Sequence, residues 1–224
     1  MAELYLVRHG QAGRIAGDYD RLSDLGRQQS RLLGEHLNEL GLRFDRLACG
    51  GLRRHAQTVE ALRPALADPP ELEVLPGLDE YDFDNLAQAF FTYNPEPEGF
   101  RSDRRVFFRT LRLALLAWSR DELPRAALKE TWAEFLGRIS EALKELCDPA
   151  KGQRVLAVSS GGAIAMVLRE ILGLSPEVAT RLNLQTKNTG ISRFIFTERS
   201  IYLSSFNAAP HLETPERQEL VTYS

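Results

Sequence analysis

Short apolar runs alternate with amphipathic stretches along most of the chain, an order typical of proteins that layer helices on a sheet. Runs rich in β-forming residues predict strands at 3–9, 44–49, 73–76 and 154–159, and alternation predicts a closing hairpin from 191–196 and 200–207. Apolar residues at helical spacing predict helices at 23–41, 52–66, 131–146 and 163–172. The predicted fold class is α/β: a three-layer α/β/α sandwich with a mostly parallel central sheet.

Between the third and fourth predicted strands lies a segment that is too long for a plain crossover connection. Residues 85–148 have a helical pattern that is interrupted at Pro95, Pro97 and Pro124. We therefore expect one domain over residues 1–224, with a helical insertion at about 81–150. In an open α/β sheet, ligands bind at the carboxyl ends of the strands, and we expect the insertion to cover that edge.

A series of arginines marks this insertion. Arg101, Arg105, Arg109 and Arg112 fall at spacings of four, four and three residues, which is one face of a helix. Two interpretations stay open. The arginines form a solvated stripe on an amphipathic helix, or they belong to a lid that holds the distal part of an anionic substrate.

Three predicted strands end in glycines that lead into helices, and polar groups accompany each junction. The junctions are Arg8-His9-Gly10, Gly50-Gly51 followed by Arg53-Arg54-His55, and Ser160-Gly161-Gly162. Free backbone amides at the start of a helix, here from Gly161 to Ala163, attract anions. Because strand ends meet at one edge of a parallel sheet, the three junctions predict a single anion site.

A histidine between arginines suits attack on a phosphoryl group. The arginines bind the oxygens that are not transferred and stabilise the developing charge, so a metal ion is not needed. The turn at 77–84 carries four carboxylates, one of which could donate a proton to a leaving oxygen. The chain lacks the motifs GxxxxGK[ST], GxGxxG, HExxH and GxSxG, so nothing in it indicates a P-loop, dinucleotide, zinc-protease or serine-hydrolase site.

Composition limits the classes of partner and the cellular compartment that we expect for this protein. The chain has 224 residues, 43% of them hydrophobic, and a net charge of −3, which does not favour a nucleic-acid or membrane partner. The two cysteines have no metal-binding spacing, so we expect a reduced, cytoplasmic compartment. We also expect neither a signal peptide nor a membrane span. The oligomeric state is not readable from the sequence.

Several ordered blocks carry more information together than any one alone. They are Leu6-Val7-Arg8-His9-Gly10-Gln11, the segment 22–29 of pattern L-S-x-x-G-x-x-Q, the segment 52–58 of sequence L-R-R-H-A-Q-T, Leu78-Asp79-Glu80-Tyr81, and the segment 158–162 of sequence V-S-S-G-G. From residue 4 to about 165, they resemble the histidine phosphatase superfamily, which includes the phosphoglycerate mutases. The resemblance implies a phosphoglycerate mutase-like fold.

The resemblance also implies a phosphohistidine mechanism. In it, His9 attacks the phosphate, Arg8 and Arg54 hold its oxygens, and Glu80 protonates the leaving alcohol before water hydrolyses the intermediate. It selects Arg54 rather than Arg53, because the family block has the pattern L-x-R-A-x-Q-T. It implies no metal ion and no organic cofactor.

One position departs from the family pattern. The family has V-S-H-G-G where this chain has Ser160, so a histidine that helps to bind the phosphoryl group is absent. Phosphate binding by Ser160 and Gly161 is still expected, since serine donates one hydrogen bond and the amides remain. Losing such a donor costs about 2.7–4 kcal/mol of transition-state stabilisation. His55 and His211 are the other histidines that could compensate.

The sequence therefore predicts a phosphomonoesterase that acts on a small phosphorylated metabolite or a phosphoprotein. Two alternatives stay open. One is a phosphoglycerate mutase-type phosphoryl transferase, although the mutases carry R-H-G-E-x-x-W-N and residues 13–16, Gly-Arg-Ile-Ala, do not match that pattern. The other is a phospho-ligand-binding pseudo-enzyme, because of Ser160.

Overall fold

The computed structural model describes residues 1–13 and 20–223. The polar residues from 14 to 22 predict a loop, and most of that loop lies outside the described residues. The six strands are β1 (Ala2–Arg8), β2 (Arg46–Cys49), β3 (Leu72–Val74), β4 (Arg154–Ser159), β5 (Ile191–Phe196) and β6 (Ile201–Ala208). They form one sheet in the order β3-β2-β4-β1-β5-β6. Strands β3, β2, β4 and β1 pair in parallel, and β5 and β6 add an antiparallel hairpin. The predicted, mostly parallel sheet is confirmed.

Helices cover both faces of this sheet. They are α1 (Asp24–Glu39), α2 (Arg53–Leu62), α3 (Phe83–Phe91), α4 (Arg104–Ser119), α5 (Trp132–Leu146), α6 (Gly161–Leu172) and α7 (Pro176–Asn183). Alternate residues of β1 serve the two faces: Leu4 and Leu6 pack with α5 and α6, whereas Tyr5 and Val7 pack with α1 and α2. Two separate apolar clusters therefore flank the sheet, and the predicted three-layer fold is confirmed.

Local sequence signals explain where α1 begins and where α2 ends. Ser23 caps α1, because its side chain accepts the amide of Gly26. Helix α2 ends at Leu62, earlier than the predicted Leu66, and continues as a 3₁₀ turn over Arg63–Ala65. Pro64 has no amide hydrogen to continue the α-helical bonding pattern, which explains the earlier end.

The insertion consists of α3, α4 and α5, so its helical character is confirmed. One detail of the arginine series is wrong. Asp103 accepts the amides of Arg105 and Val106 and starts α4 at that point, so Arg101 lies before the helix. Arg105 and Arg109 lie on α4 and are exposed, as is Arg112.

Helix α7 was not predicted; it covers Pro176–Asn183, ahead of the loop that leads to β5. Its start signal is present in the sequence, since Ser175 accepts the amide of Val178 and Pro176 occupies the first helical position. The segment that follows α7 returns the chain to β5 beside the end of β1. In the described ranges, no helix combines the length and the apolar character that crossing a membrane requires.

Candidate active site

The carboxyl end of β1 brings Arg8 and His9 to the edge of the sheet, where the strand–glycine pattern predicts them. Both side chains are buried. The segment after α7 holds Arg8: its Nη1 donates to the carbonyl oxygen of Thr186 at 2.5 Å and to the Thr186 hydroxyl at 3.1 Å. Thr186 therefore orients Arg8, a role that no periodicity or motif in the sequence indicates.

The imidazole of His9 is fixed in one protonation form. Its Nδ1 lies 2.7 Å from the carbonyl oxygen of Gly10. Because a carbonyl oxygen accepts and never donates, the proton is on Nδ1 and Nε2 keeps its lone pair. Burial lowers the pKa of His9 well below its usual range, and the guanidinium groups of Arg54 and Arg8 lower it further. His9 therefore presents a neutral imidazole with an unprotonated Nε2, the form that a nucleophile needs.

Arg54 lies in the first turn of α2 and contacts several groups of the site. Its Nε lies 3.2 Å from Nε2 of His9, its Nη1 donates to Asp20 at 2.9 Å, and its Nη2 lies 3.4 Å from the hydroxyl of Ser160. Asp20 also accepts the backbone amide of Arg53 at 2.9 Å. Of the basic pair, Arg54 is buried and Arg53 is exposed. The structure thus distinguishes Arg54, which contacts the site, from Arg53, a distinction that sequence spacing alone does not make.

Glu80 reaches the start of α6, where its Oε2 accepts the amide of Gly162 at 2.9 Å. Burial raises the pKa of Glu80, although the Gly162 amide and the charges of Arg54 and Arg8 oppose the rise. A carboxyl group in this state can hold a proton for a leaving oxygen. The backbone amides of residues 161–163, which we expected to bind an anion, are thus partly occupied by Glu80. The amide of Gly162 is not left for a ligand. Gly161 begins α6 as predicted.

Ser160 stands just before α6 and is fully buried, as is His55. The Oγ of Ser160 lies 2.7 Å from Nε2 of His55. On the other side of the same ring, Nδ1 of His55 lies 3.7 Å from Oδ1 of Asp79. The ring centroids of His55 and His9 are 5.7 Å apart. Of the two histidines that could compensate for Ser160, His55 is therefore the one in contact with it.

The segment after α7 supplies further groups that the sequence reasoning missed. Asn188 donates from its side-chain amide to the carbonyl oxygen of His9 at 3.1 Å.

His211, the second candidate to compensate for Ser160, lies 2.8 Å from the hydroxyl of Thr189 and is buried there. His211 therefore supports the loop behind the site. No regular spacing marks these positions, because they come from a loop and a tail.

A pocket of about 250 Å³ opens beside Glu80, between the acidic turn and the insertion. Its wall includes Glu80, Tyr81, Trp118, Lys129 and Arg138. Aromatic rings and charges of both signs thus border the space next to the carboxyl group. The residues that line this pocket do not include the exposed arginines of α4.

Comparison with known proteins adds a family and a set of relatives. Residues 4–209 match the family model described as Histidine phosphatase superfamily (branch 1). A probable phosphoglycerate mutase, GpmB, from Enterobacter sp. (strain 638) is 30% identical over 232 residues of alignment, which cover 98% of this chain and 99% of that protein.

Solved structures agree on the fold. A phosphoserine phosphatase from Entamoeba histolytica, crystallised as an H9A mutant with phosphoserine, matches with a TM-score of 0.66 at 24% identity and covers 95% of this chain and 100% of its own. The alpha-ribazole phosphatase from Shigella flexneri matches with a TM-score of 0.62 at 19% identity, covering 92% and 96% of the two chains. At these identities the likeness concerns the fold.

Proposed function

The chain belongs to the histidine phosphatase superfamily, and on this basis we propose that it is a phosphomonoesterase that works through a phosphohistidine intermediate on His9. The observation that carries the proposal is the state of His9. The carbonyl oxygen of Gly10 holds the proton of Nδ1, and the unprotonated Nε2 lies beside Arg54. Family membership and this geometry together support attack by nitrogen on phosphorus.

The first step transfers the phosphoryl group to the enzyme. Nε2 of His9 attacks phosphorus as the bond from phosphorus to the leaving oxygen breaks. The leaving oxygen takes the proton of Glu80 and departs as an alcohol. Arg8 and Arg54 bind the oxygens that are not transferred and stabilise the charge that develops on them.

The second step returns the enzyme to its starting state. A water molecule attacks the phosphorus of phosphohistidine, and the bond from phosphorus to Nε2 of His9 breaks. The carboxylate of Glu80 takes a proton from that water, so both groups regain their initial forms. Ser160 and the amide of Gly161 are proposed to contribute to phosphate binding in both steps.

The substrate is proposed to be a small phosphorylated metabolite or a phosphoprotein in the cytoplasm. The pocket beside Glu80 is compatible with a small leaving group next to the proton donor, and of the proposed catalytic residues only Glu80 is among those that line it. The two cysteines are buried free thiols, in keeping with a reducing compartment.

The test is an assay without metal ions on p-nitrophenyl phosphate, comparing the wild type with His9→Ala. We expect wild-type turnover and a loss of at least about a thousandfold in the variant, because the nucleophile is gone. An acid-labile phosphate on rapidly quenched wild type, absent from His9→Ala, is expected as well. His36→Gln is the control, since His36 lies on α1 outside the site. Equal activity of His9→Ala and wild type would overturn the proposal.

A mutase-type phosphoryl transfer is the second candidate, favoured by the probable phosphoglycerate mutase that is 30% identical to this chain. Incubation with 3-phosphoglycerate separates the two activities. Free phosphate supports the phosphatase, and 2-phosphoglycerate without free phosphate supports the mutase. Absence of both products, together with no turnover across a broad panel of phosphate esters, supports instead a phospho-ligand-binding protein that lost catalysis with Ser160.

A further inference from the structure

We propose that His55 is a positioning residue that acts through Ser160, and that the pair supplies the phosphoryl-binding hydrogen bond at the start of α6. This inference rests on the proposed function, because it explains how the same site holds a phosphoryl group. Both side chains are fully buried, and Nε2 of His55 lies 2.7 Å from Oγ of Ser160. Nη2 of Arg54 approaches the same Oγ to 3.4 Å.

The donors and acceptors around Ser160 fix the direction of these bonds. A serine hydroxyl has one proton and two lone pairs, and arginine only donates. A phosphoryl oxygen is an acceptor, so the hydroxyl proton must point at it. The Oγ of Ser160 must then accept from both Arg54 and His55. His55 therefore carries its proton on Nε2 when a phosphoryl group is bound.

The far side of the His55 ring is compatible with this form. Oδ1 of Asp79 lies 3.7 Å from Nδ1, beyond hydrogen-bond distance, and already accepts the amides of Gly51 at 2.5 Å and Leu52 at 3.2 Å. Within the described residues, the buried Nδ1 makes no hydrogen bond, which suits a bare lone pair better than an N–H group. Burial, with the charge of Arg54, lowers the pKa of His55 to about 3, so the ring stays neutral.

The surrounding backbone leaves room for this arrangement. A Cβ at Gly50 would collide with Nδ1 of His55 and lie 2.6 Å from Oδ1 of Asp79. In the sequence, His55 stands where the family block L-x-R-A-x-Q-T has alanine, and Ser160 stands where V-S-H-G-G has histidine. Two departures from the pattern thus meet in one contact. The imidazole reaches this part of the site from α2 instead of from the start of α6.

Four variants test the proposal through binding of inorganic phosphate, measured by calorimetry: Ser160→Ala, His55→Leu, His55→Gln and the double variant His55→Leu/Ser160→Ala. We expect Ser160→Ala and His55→Leu each to weaken phosphate binding about tenfold, the scale of one lost hydrogen bond to a charged group. The double variant should bind no more weakly than either single variant, because the pair acts as a unit. His55→Gln keeps a donor of similar reach and should stay within about threefold of wild type. Ser140→Ala and His36→Gln serve as controls outside the site.

Two binding results would overturn the inference. One is unchanged phosphate affinity in His55→Leu. The other is a loss in the double variant that equals the product of the two single losses. The melting temperature of each variant shows whether it folds, and His55→Gln provides a readout if His55→Leu does not.

A spectroscopic readout is taken on the wild type, and the His55→Gln variant is needed only to assign its signals. The chain has four histidines, which keeps a ¹⁵N spectrum of the imidazoles simple. The signals of His55 are those that disappear in His55→Gln. With phosphate bound we expect the proton on Nε2, and a proton on Nδ1 would overturn the proposal.

Failure of this inference is distinguishable from failure of the proposed function. Phosphate binding that depends on His55 and Ser160, without turnover of any ester, would contradict the phosphatase proposal and still support the inference about His55 and Ser160. Wild-type rates of hydrolysis and wild-type phosphate affinity in His55→Leu would do the reverse.

Discussion

At the scale of single residues, the rings of His9 and His55 lie 5.7 Å apart between centroids and have different surroundings. Nε2 of His9 keeps its lone pair and accepts the Nε–H of Arg54 at 3.2 Å, whereas His55 uses the same atom to contact Ser160. Burial lowers the pKa of both, so neither ring contributes positive charge at neutral pH. In the proposed function, the charge that offsets a bound phosphoryl group therefore comes from Arg8 and Arg54.

The proposed role of Glu80 leads to a prediction about leaving groups. Glu80→Gln should lower kcat/KM by about 10²–10⁴-fold on an alkyl phosphate, because a poor leaving oxygen needs a proton. On p-nitrophenyl phosphate, whose leaving group departs as a stable anion, we expect a loss of only a few-fold in the first step. The measurement compares the two substrates under single-turnover conditions. Equal losses on both would contradict proton donation by Glu80.

The same residue sets the expected pH dependence. Burial raises the pKa of Glu80, and the proton donor is present only below that pKa. In the wild type, kcat/KM on the alkyl ester should therefore fall as pH rises through this raised pKa, and Glu80→Gln should lose that fall. Because burial lowers the pKa of His9, the decline on the acid side should begin well below the usual range of histidine.

Much of the site is readable from the sequence because its residues sit at strand ends. Arg8 and Ser160 follow apolar runs, and the structure brings both to one edge of the sheet beside Arg54. Thr186 and Asn188 are different, since they reach the site from a loop through hydrogen bonds to Arg8 and His9. No hydrophobic period governs such positions, so the sequence pattern does not mark them.

At the scale of secondary-structure elements, two helix glycines have opposite surroundings. Gly34 of α1 packs against the backbone of α2, where a Cβ would collide with the carbonyl oxygen of Leu62. Gly137 of α5 is exposed, and a Cβ there would meet no atom within 4 Å. The first glycine allows two helices to approach closely, and the second carries only the entropic cost of glycine in a helix.

These surroundings predict opposite effects of one substitution. Gly34→Ala should destabilise the fold by about 1–3 kcal/mol, because the backbones of α1 and α2 must move apart. Gly137→Ala should stabilise it by about 0.5–1 kcal/mol, because alanine loses less backbone entropy. Unfolding in urea, followed by circular dichroism, measures both. Destabilisation by Gly137→Ala, or none by Gly34→Ala, would contradict the packing described for these helices.

Elements were predictable where burial imposes a long, regular pattern. The apolar runs of β1 and β4 and the amphipathic α5 are of this kind. Helix α7 has only eight residues, too few to show a period, and its start was recognisable from Ser175 and Pro176 alone. The boundary that excludes Arg101 from α4 depends on the side chain of Asp103, a local hydrogen bond that spacing does not reveal.

At the scale of the whole molecule, Arg46 joins three elements at one edge of the sheet. From β2 it donates to Glu73 beside it on β3 at 2.9 and 2.6 Å, and to the carbonyl oxygen of Glu145 on α5 at 2.7 Å. The hydrogen bond from Arg46 lowers the pKa of Glu73, although burial opposes this. Hydrogen bonds from a single guanidinium group thus link two strands of the sheet to α5.

This tie predicts how stability responds to acid. Because the pKa of Glu73 is lower in the folded chain, its contribution is complete above the unfolded pKa and is lost as pH falls through the folded pKa. Glu73→Gln should therefore lower stability at pH 7 and lessen its decline between about pH 5 and pH 3. Urea unfolding across this range measures the effect, with the exposed Glu71→Gln as control. Parallel curves for Glu73→Gln and wild type would refute the coupling.

The place of β1 in the sheet has a consequence for how the protein is made. β1 leaves the ribosome before the other described strands, yet its neighbours are β4 and β5, with Glu3 opposite Arg154 and Ala2 opposite Phe196. During translation β1 must wait for β4 and β5 before it can pair with them, and such long-range pairing is slow. The histidine proposed as nucleophile is thus synthesised before its surroundings, and the nascent site cannot assemble until β4 and β5 have followed it.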